Sequence, residues 1–429
     1  MSTGRFAATL AFLAAPALAG EEMFGADFAE FRGEASVETI LFPEDPLFPG
    51  QDHNGLSFAV EPVGVLEWNG VEALGDADLT ATLRPFVRID PQDDERTHID
   101  LREAKIDARF GDTDVTIGND IVFWGKTEVD QLVDIVNQVD GVEGTDGEDK
   151  LGQPMVAVRR IVEFGEFSGQ ASVFYFPYFR ERTFLGEESR LRSGIVVDGK
   201  DARYETGAEE WTPSFAARLA GFYGDIDAGV HVFHGLSRDP AFEVSRATVI
   251  TNPMGVPAAI PTALRPVYGR ITQVGVDGQY TSGATLWKAE AIARFDQRNL
   301  DFEEEDYVAA IAGVEHTLYG IGGTNFDLGL IGEYAYDSRG SRALTPFEND
   351  AVVGARLALN DAQDTSALFT AAVDTETAET ILRLEGERRI GESFKLSLVG
   401  QTFLNTDDAS LINPLRDDHS LRLTVSAFW

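Results

Sequence analysis

The chain has 429 residues, of which 72 are acidic and 35 are basic, so its formal net charge is −37. This balance excludes nucleic-acid binding, because contacts to phosphates need clustered Lys and Arg. The chain contains no cysteine, which excludes disulfides, thiolate metal sites and cysteine nucleophiles.

The first residues have the layout of a signal peptide, which we place at residues 1–19. Arg5 precedes an apolar run from Phe6 to Leu18, and Ala17-Leu18-Ala19 is a small-x-small cleavage site. The apolar run is shorter than a membrane-spanning helix requires. The sequence therefore predicts export across the inner membrane, followed by a periplasmic N-terminal segment over residues 20–34.

Further along the chain, apolar and polar residues alternate with a period of two, which is typical of β-strands with two different faces. The first such segment runs from Ala35 to Phe42. The clearest apolar faces that follow are Leu79-Ala81-Leu83, Ile226-Ala228-Val230-Val232, Trp287-Ala289-Ala291, Phe326-Leu328-Leu330 and Leu382-Leu384. Either lipid or a second sheet could cover these faces, so alternation alone does not separate a membrane barrel from a soluble sandwich.

The last segment is the most distinctive strand. From His419 to Trp429 one face is apolar, with Leu421, Leu423, Val425 and Trp429 on it. A chain that stops on an aromatic residue in such a strand resembles the C-terminal strand of Gram-negative outer-membrane barrels. That resemblance implies that these four residues form the signal read by the outer-membrane assembly machinery.

The connections differ in length in a regular way. Short turns near 224–225, 281–283, 361–364 and 390–393 alternate with long polar connections near 125–154, 179–212, 236–264 and 338–349. This asymmetry is expected of outer-membrane barrels. We therefore predict an all-β fold, a single transmembrane antiparallel β-barrel over residues 35–429. It has about 18 strands, with 16 as the alternative, short periplasmic turns and long extracellular loops.

A stretch between Gly118 and Phe184 resembles porin-like outer-membrane proteins of unassigned function. The resemblance rests on Asn119-Asp-Ile-Val-Phe-Trp-Gly-Lys126, on the Asp-x-x-Asn-x-x-Asp pattern that begins at Asp134, and on the Pro-containing re-entry at Lys150-Leu-Gly-Gln-Pro154. Two interpretations of the loop 125–154 stay open: a segment folded into the lumen, or an extracellular cap. Its part from Val129 to Val142 has a partly helix-like pattern.

Charged residues on the faces opposite the apolar ones are predicted to line the pore. They are Arg84, Arg88, Glu103, Lys105, Asp107, Arg109, Arg159, Glu163, Arg218, Lys288, Glu290, Arg294, Glu333, Arg383, Glu385 and Arg389. Opposed acidic and basic rows would select solutes by charge. The plainer interpretation is that they pair across strands because the lumen is wet. Several of Phe174, Tyr175, Phe176, Tyr178 and Phe179 are assigned to the aromatic girdle at the membrane interface, with an aromatic slide for apolar or sugar-like solutes as the alternative. Trp68, Trp124, Trp287 and Trp429 fit the same girdle.

No metal site, cofactor or catalytic residue is predicted. The acidic residues between Asp130 and Asp149 suit calcium in kind, but their spacing does not match a calcium loop. His231 and His234 fall on opposite faces of one strand, and no hydrolase motif occurs, although a barrel hydrolase using His98 or His231 stays a third hypothesis.

The sequence thus predicts a non-enzymatic channel in the cell outer membrane, through which small polar or charged solutes diffuse. The alternative is a component that binds or exports a hydrophobic, lipid-like cargo together with partner proteins. The expected partners are membrane lipid, lipopolysaccharide, the assembly machinery and the solutes, but no nucleic acid. A monomer and a homotrimer both fit this prediction.

Overall fold

The computed structural model describes residues 23–144, 147–251 and 257–429, so the predicted signal peptide lies outside the described residues. The strands, numbered in chain order, are Phe28–Leu41 (β1), Asn54–Val71 (β2), Ala77–Ile89 (β3), His98–Phe110 (β4), Thr113–Asp120 (β5), Gln153–Phe164 (β6), Phe167–Phe176 (β7), Val196–Val197 (β8), Arg203–Tyr204 (β9), Ser214–Tyr223 (β10), Ile226–Leu236 (β11), Ala241–Thr251 (β12), Pro257–Tyr268 (β13), Arg270–Ser282 (β14), Thr285–Arg298 (β15), Glu304–Leu318 (β16), Asp327–Asp337 (β17), Asn349–Ala358 (β18), Ser366–Asp374 (β19), Thr380–Ile390 (β20), Phe394–Leu404 (β21) and Ser420–Phe428 (β22).

Short 3-10 turns lie in the connections, at Met23–Gly25, Glu72–Leu74, Asp94–Arg96, Gly199–Asp201, Glu209–Trp211, Ile321–Gly323, Gly340–Arg342 and Asn413–Leu415. Among the described residues, none of these helices is long and apolar enough to cross a membrane.

Eighteen strands form one closed antiparallel barrel, which confirms the predicted fold and the larger strand count. The ring comprises β1–β7, β10, β11 and β14–β22, and each strand pairs with the next one in this order. Closure comes from the pairing of β1 with β22, whose register runs from Glu34 opposite Phe428 to Leu41 opposite Leu421. A closed ring has no unpaired edge, so every strand satisfies its backbone groups on both sides.

The outer surface of the barrel is apolar because the alternate residues of each strand point away from the lumen. Leu83 is 54% exposed, Trp287 is 53% exposed and Val353 is 58% exposed. So much exposed apolar surface is unfavourable in water but suits the hydrocarbon of a bilayer. On the same strand as Trp287, the side chain of Glu290 is buried inside.

The two rims differ as the sequence predicts. Turns of two residues follow β4, β6, β10 and β14, and the turn at 224–225 has Gly224 at φ 60°. A glycine at the first position of a two-residue turn matches the twist of the strands it joins. Connections at the opposite rim are mostly long, with 121–152, 177–213 and 237–269 the longest. Both barrel ends of the chain, at β1 and β22, lie at the short-turn rim.

The first strand starts earlier than predicted. It begins at Phe28 rather than Ala35, so residues 28–34 belong to the barrel and not to a periplasmic segment. The extension pairs with β2 and brings Gly33 to Trp429, whose backbone groups exchange hydrogen bonds of 3.1 and 3.2 Å with it. A Cβ at Gly33 would lie 2.4 Å from the Trp429 ring, so the ring would have to move for another residue to fit where the barrel closes.

The connection between β11 and β14, predicted only as a long polar segment near 236–264, contains a β-hairpin. Its strands, β12 and β13, pair antiparallel, and β13 also pairs in parallel with the short strands β8 and β9. These four strands form a second, small sheet apart from the barrel ring, at its long-loop rim.

Candidate functional site in the barrel lumen

The segment between β5 and β6 folds into the barrel, and we call residues 121–152 the lumenal loop. Asn137 holds its two legs together, since its Nδ2 donates to the carbonyls of Asp120 (2.8 Å) and Leu151 (2.9 Å). Its Oδ1 accepts from the Val122 N–H (2.9 Å). The helix-like pattern of Val129 to Val142 was misleading, because the described part of the loop consists of turns and bends.

The Asp-x-x-Asn-x-x-Asp pattern builds this loop. Asp134 accepts the Trp124 N–H at 3.2 Å and lies 3.1 Å from the ammonium of Lys150. Asp140 accepts a hydrogen bond of 2.6 Å from the Thr183 hydroxyl. Burial raises the pKa of Asp134, although the Lys150 charge opposes that shift. The motif is thus structural, and its polar groups replace the water that the loop backbone loses inside the barrel.

One side of the lumenal loop forms a hydrophobic core with the inner wall. The loop contributes Trp124, Val133, Ile135 and Val136. The wall, from β6 to β16, contributes Met155, Ala157, Phe174, Phe176, Ala216, Phe233, Ile271, Ile292, Tyr307 and Ala309. Fully burying one such large side chain stabilises a protein by about 1.5–3 kcal/mol.

The assignment of Phe174, Phe176 and Trp124 to the membrane girdle is therefore wrong. Their rings are buried inside the barrel, with Trp124 edge-on to Phe174 at 5.8 Å between centroids. Phe179 is also buried, at the long-loop rim against Tyr268 (4.8 Å). Tyr175 does face outward, beside Phe215. This part of the inner face is apolar because the lumenal loop, and not water, covers it.

Two glutamates of the wall bind the backbone of the lumenal loop. Glu290 accepts the N–H groups of Lys126, Thr127 (3.1 Å) and Val133 (3.2 Å). Glu333 accepts those of residues 128 and 129 at 3.0 and 3.1 Å. Both carboxylates therefore satisfy amides that would otherwise be unpaired inside the barrel.

Several predicted pore residues lie in a paired network along the inner wall. Arg84 bonds to Glu61 and Glu103, whereas Lys105 lies 2.6 Å from Asp120. The remaining contacts are Asp107 with Thr116, Arg159 with Thr116 and with the ring of Phe174, Arg218 with Asp277, Lys288 with Glu128 and Glu315, and Arg88 with Glu143 and Glu38. Arg109, Glu163 and Arg389 are exposed near the short-turn ends of their strands.

A cavity of about 570 Å³ remains on the opposite side of the lumenal loop. It is bounded by the loop and by inward residues of β15–β21 and their connections. Predicted pore residues Arg294, Arg383 and Glu385 line it, together with Arg339 and Arg356, which sequence reasoning missed. Their partners are close: Arg294 lies 2.6 Å from Asp239, Arg339 2.6 Å from Asp337, and Arg356 2.7 Å from Glu128.

Asp130 faces the same cavity from the lumenal loop. Burial, reinforced by the nearby charge of Asp239, raises the pKa of Asp130 to about 6. Apolar side chains also reach the cavity, among them Phe347, Leu368, Phe403, Ile412 and Leu415. The cavity therefore offers paired charges and hydrocarbon on one continuous surface.

A second segment, residues 177–213, crosses the long-loop rim, and we call it the mouth loop. Arg180 pairs with Asp100 (2.6 Å) near β4, and Arg190 pairs with the buried Asp418 (2.7 Å) beside β22. Gln51 donates to two mouth-loop carbonyls at 3.0 and 2.9 Å. The mouth loop thus covers the part of the opening above β1–β4 and β22.

The histidines of the hydrolase hypothesis lie apart. His98 donates to the Arg96 carbonyl (3.0 Å) and faces Asp140 and Glu143 at 3.6 Å. His231 contacts the Gln273 amide (3.1 Å) and lies against the Trp124 ring. In the described ranges, neither has a serine hydroxyl among its hydrogen-bond partners. As predicted, His231 is buried inside and His234 is exposed outside.

Comparison with known proteins identifies the fold. No protein-family model matches the sequence, and no curated protein matches it either. Among solved structures, the chain is similar to Wzi, an outer-membrane carbohydrate-binding β-barrel involved in group 1 capsule assembly in Escherichia coli. The two share 11% identity over 93% of this chain and 84% of that one, with a TM-score of 0.52.

Porins also match. OmpF of Salmonella typhi shares 7% identity over 94% of this chain and 98% of that one, with a TM-score of 0.48. A mutant Rhodopseudomonas blastica porin shares 10% identity over 94% and 100%, with a TM-score of 0.44. At 11% identity, the similarity to Wzi shows a shared barrel fold and nothing further.

Proposed function

We propose that the chain is a channel in the outer membrane of a Gram-negative bacterium, and that small polar or charged solutes diffuse through its lumen. The observation that supports this function best is the charged cavity of about 570 Å³ beside the lumenal loop. Barrels of this strand number leave an aqueous channel unless loops close it. The lumenal loop narrows the lumen from one side and leaves the β15–β21 side open to solutes.

Selection in this channel rests on charge. Arg294, Arg339 and Arg356 each pair with a carboxylate across the cavity wall, so a solute meets both signs within a few ångströms. Such pairs replace part of the hydration that a charged solute loses in a narrow passage. The mechanism needs no covalent chemistry and no cofactor. Pore-lining roles for the other predicted charges belong to the same proposal.

The setting of the channel is also a proposal. The apolar outer surface would contact lipid, and the acidic loops of the long-loop rim would face lipopolysaccharide. Leu421, Leu423, Val425 and Trp429 would be read by the assembly machinery. The first three belong to β22, which closes the barrel, with Leu421 and Val425 exposed on its outside, and Trp429 follows the strand directly. The functional unit would be a monomer or a homotrimer.

The first test is the conductance of the purified, refolded chain in a planar bilayer with a salt gradient. Stable steps with a measurable reversal potential would support the channel. A folded, heat-modifiable barrel without steps would contradict it. Because the chain has no cysteine, Thr370→Cys in the cavity wall can then be labelled with a charged thiol reagent, which should reduce the conductance. Its outward neighbour Phe369→Cys is the matched control.

A second function has an observation of its own. Phe347, Phe403, Ile412 and Leu415 place apolar surface in the cavity at its long-loop end. This surface favours a component that binds or exports a hydrophobic, lipid-like cargo with partner proteins. Saturable binding of a fluorescent fatty acid by a barrel that gives no conductance would favour this alternative over the channel.

A further inference from the structure

Three acidic residues meet where β18 and β19 reach the long-loop rim. Asp350 of β18 stands directly opposite Asp374 of β19 in the strand register, and Glu348 lies just before β18. One carboxylate oxygen from each of the three lies within 4.8 Å of the others. Asp350 is only 4% exposed and Asp374 only 8% exposed, so these are buried groups and not a solvated surface.

The three carboxylates have no basic partner within 4.0 Å in the described part of the chain. One oxygen of Asp350 accepts a single hydrogen bond from the Asn349 N–H (3.2 Å), and its other oxygen has no donor in the described ranges. Asp374 uses one oxygen, Oδ1, for the N–H groups of residues 376 and 377, which leaves Oδ2 for another partner.

Such an arrangement is unfavourable without a counter-charge. Like charges directly opposite on adjacent strands repel, and a buried carboxylate loses its hydration. The site therefore needs protons or a cation.

We propose that Glu348, Asp350 and Asp374 bind a divalent cation, with Ca²⁺ as the preferred ion. Calcium takes six to eight oxygen ligands in flexible geometry, and carboxylates supplemented by water suit it. Mg²⁺ demands a closer octahedron and gives up its water reluctantly, so it should bind more weakly. The ligands belong to the barrel and its rim, so the site does not depend on the proposed channel.

The position of the site gives the cation a structural role. Glu348 ends the connection 338–348, and Asp374 precedes the connection 375–379. Glu379, at the end of that second connection, accepts the Asp407 N–H (3.0 Å) and the Ser410 hydroxyl (2.6 Å). A bound cation would therefore tie the connection 338–348 to the end of β19, and the hydrogen bonds of Glu379 continue from there to the connection 405–419. Both connections supply apolar residues to the cavity.

Calorimetric titration of the full, detergent-folded chain with CaCl₂, after removal of divalent ions with EDTA, tests the proposal. We expect one Ca²⁺ per chain, and we expect Asp350→Asn to weaken binding by about tenfold or more. Asp301→Asn changes an exposed acid at the same rim and should leave binding unchanged. Detergent without lipopolysaccharide removes the other source of calcium bridging. Failure to bind Ca²⁺, or undiminished binding by Asp350→Asn, would overturn the site.

Thermal unfolding gives a second readout, because the effect of Asp350→Asn on the melting temperature should differ between EDTA and calcium. In EDTA at neutral pH, Asp350→Asn should unfold at the same or a higher temperature than the wild type, because the repulsion is relieved. In calcium, the wild type should gain more stability than the variant. A wild-type melting temperature that stays the same when calcium is added would show that protons neutralise the cluster instead. Glu348→Gln, outside the strand, repeats the test if Asp350→Asn does not fold.

Discussion

The two sides of the lumenal loop differ: one packs against the inner wall of the barrel, and the other borders a cavity. Toward β6–β16 the loop buries Trp124 and Val133 against Phe174 and Phe233, and its amides are bound by Glu290. Toward β15–β21 the inward residues include the charged Arg356, Arg383 and Glu385, and a cavity remains between them and the loop. The alternation of a strand thus decides which residues face inward. Whether these residues pack as a core or line a cavity depends on their chemistry and on what the rest of the chain places against them.

The same contrast holds for the acidic residues. Asp134 and Glu143 of the lumenal loop have basic partners, Lys150 and Arg88, at 3.1 and 2.6 Å. Asp350 and Asp374 beside the cavity have none in the described ranges. Ion pairs therefore neutralise Asp134 and Glu143 within the segment 130–149, whose composition suits calcium (Asp146 lies outside the described residues).

The largest expected effect comes from breaking the packed side. Trp124→Ala removes the ring at the centre of the core, so we expect the free energy of unfolding to fall by about 3–5 kcal/mol. The freed loop should also raise the single-channel conductance. Denaturant unfolding and bilayer recordings measure the two effects. Trp287→Ala, which removes an outward ring, is the matched control, and equal losses in both variants would show that Trp124 does not hold the loop.

Removing the polar anchor should have a smaller effect. Glu290→Ala leaves the N–H groups of Lys126, Thr127 and Val133 without their acceptor, which costs about 1–3 kcal/mol. Faster hydrogen exchange at these amides would identify the cause. Glu304→Ala removes an exposed carboxylate from the adjacent strand and should change neither stability nor exchange. Unchanged exchange in Glu290→Ala would mean that the core alone fixes the loop.

The sequence predicted the features that depend on local patterns, and it missed those that depend on contacts between distant segments. The barrel and its rims were predictable because lipid imposes one apolar face on every strand, as at Leu330 and Val230. The core was not, because it joins the lumenal loop to distant strands. One local sign of it existed: Val173-Phe174-Tyr175-Phe176 is apolar on both faces, which marks an inner face that something covers. The partner of each inward charged residue could not be predicted either, because it depends on the register of neighbouring strands and on the position of the lumenal loop.

On the open side, charge substitutions should change selectivity and leave the fold intact. Arg356→Gln removes a positive charge from the cavity and leaves Glu128 with the more distant Lys288. The channel should then favour cations by about twofold to fivefold more, equivalent to roughly 0.4–1 kcal/mol. The reversal potential in a KCl gradient measures this shift. Arg416→Gln, in an exposed loop, should leave the potential unchanged, and a shift of equal size there would place selectivity outside the cavity.

The smallest expected effect is a pH dependence of that selectivity. Because burial raises the pKa of Asp130 to about 6, its negative charge is present above that pH and is lost as the pH falls through it. Cation preference should therefore decrease between about pH 7 and pH 5 in the wild type and stay flat in Asp130→Asn. The folded pKa exceeds the usual carboxyl value, so ionised Asp130 also costs stability, which should decline as the pH rises from about 4 to about 6. Comparing the unfolding midpoints of the two proteins across that range isolates this contribution. If Asp130→Asn keeps the full pH dependence of the reversal potential, that dependence comes from another carboxylate. Asp130 would then not contact the permeating ions.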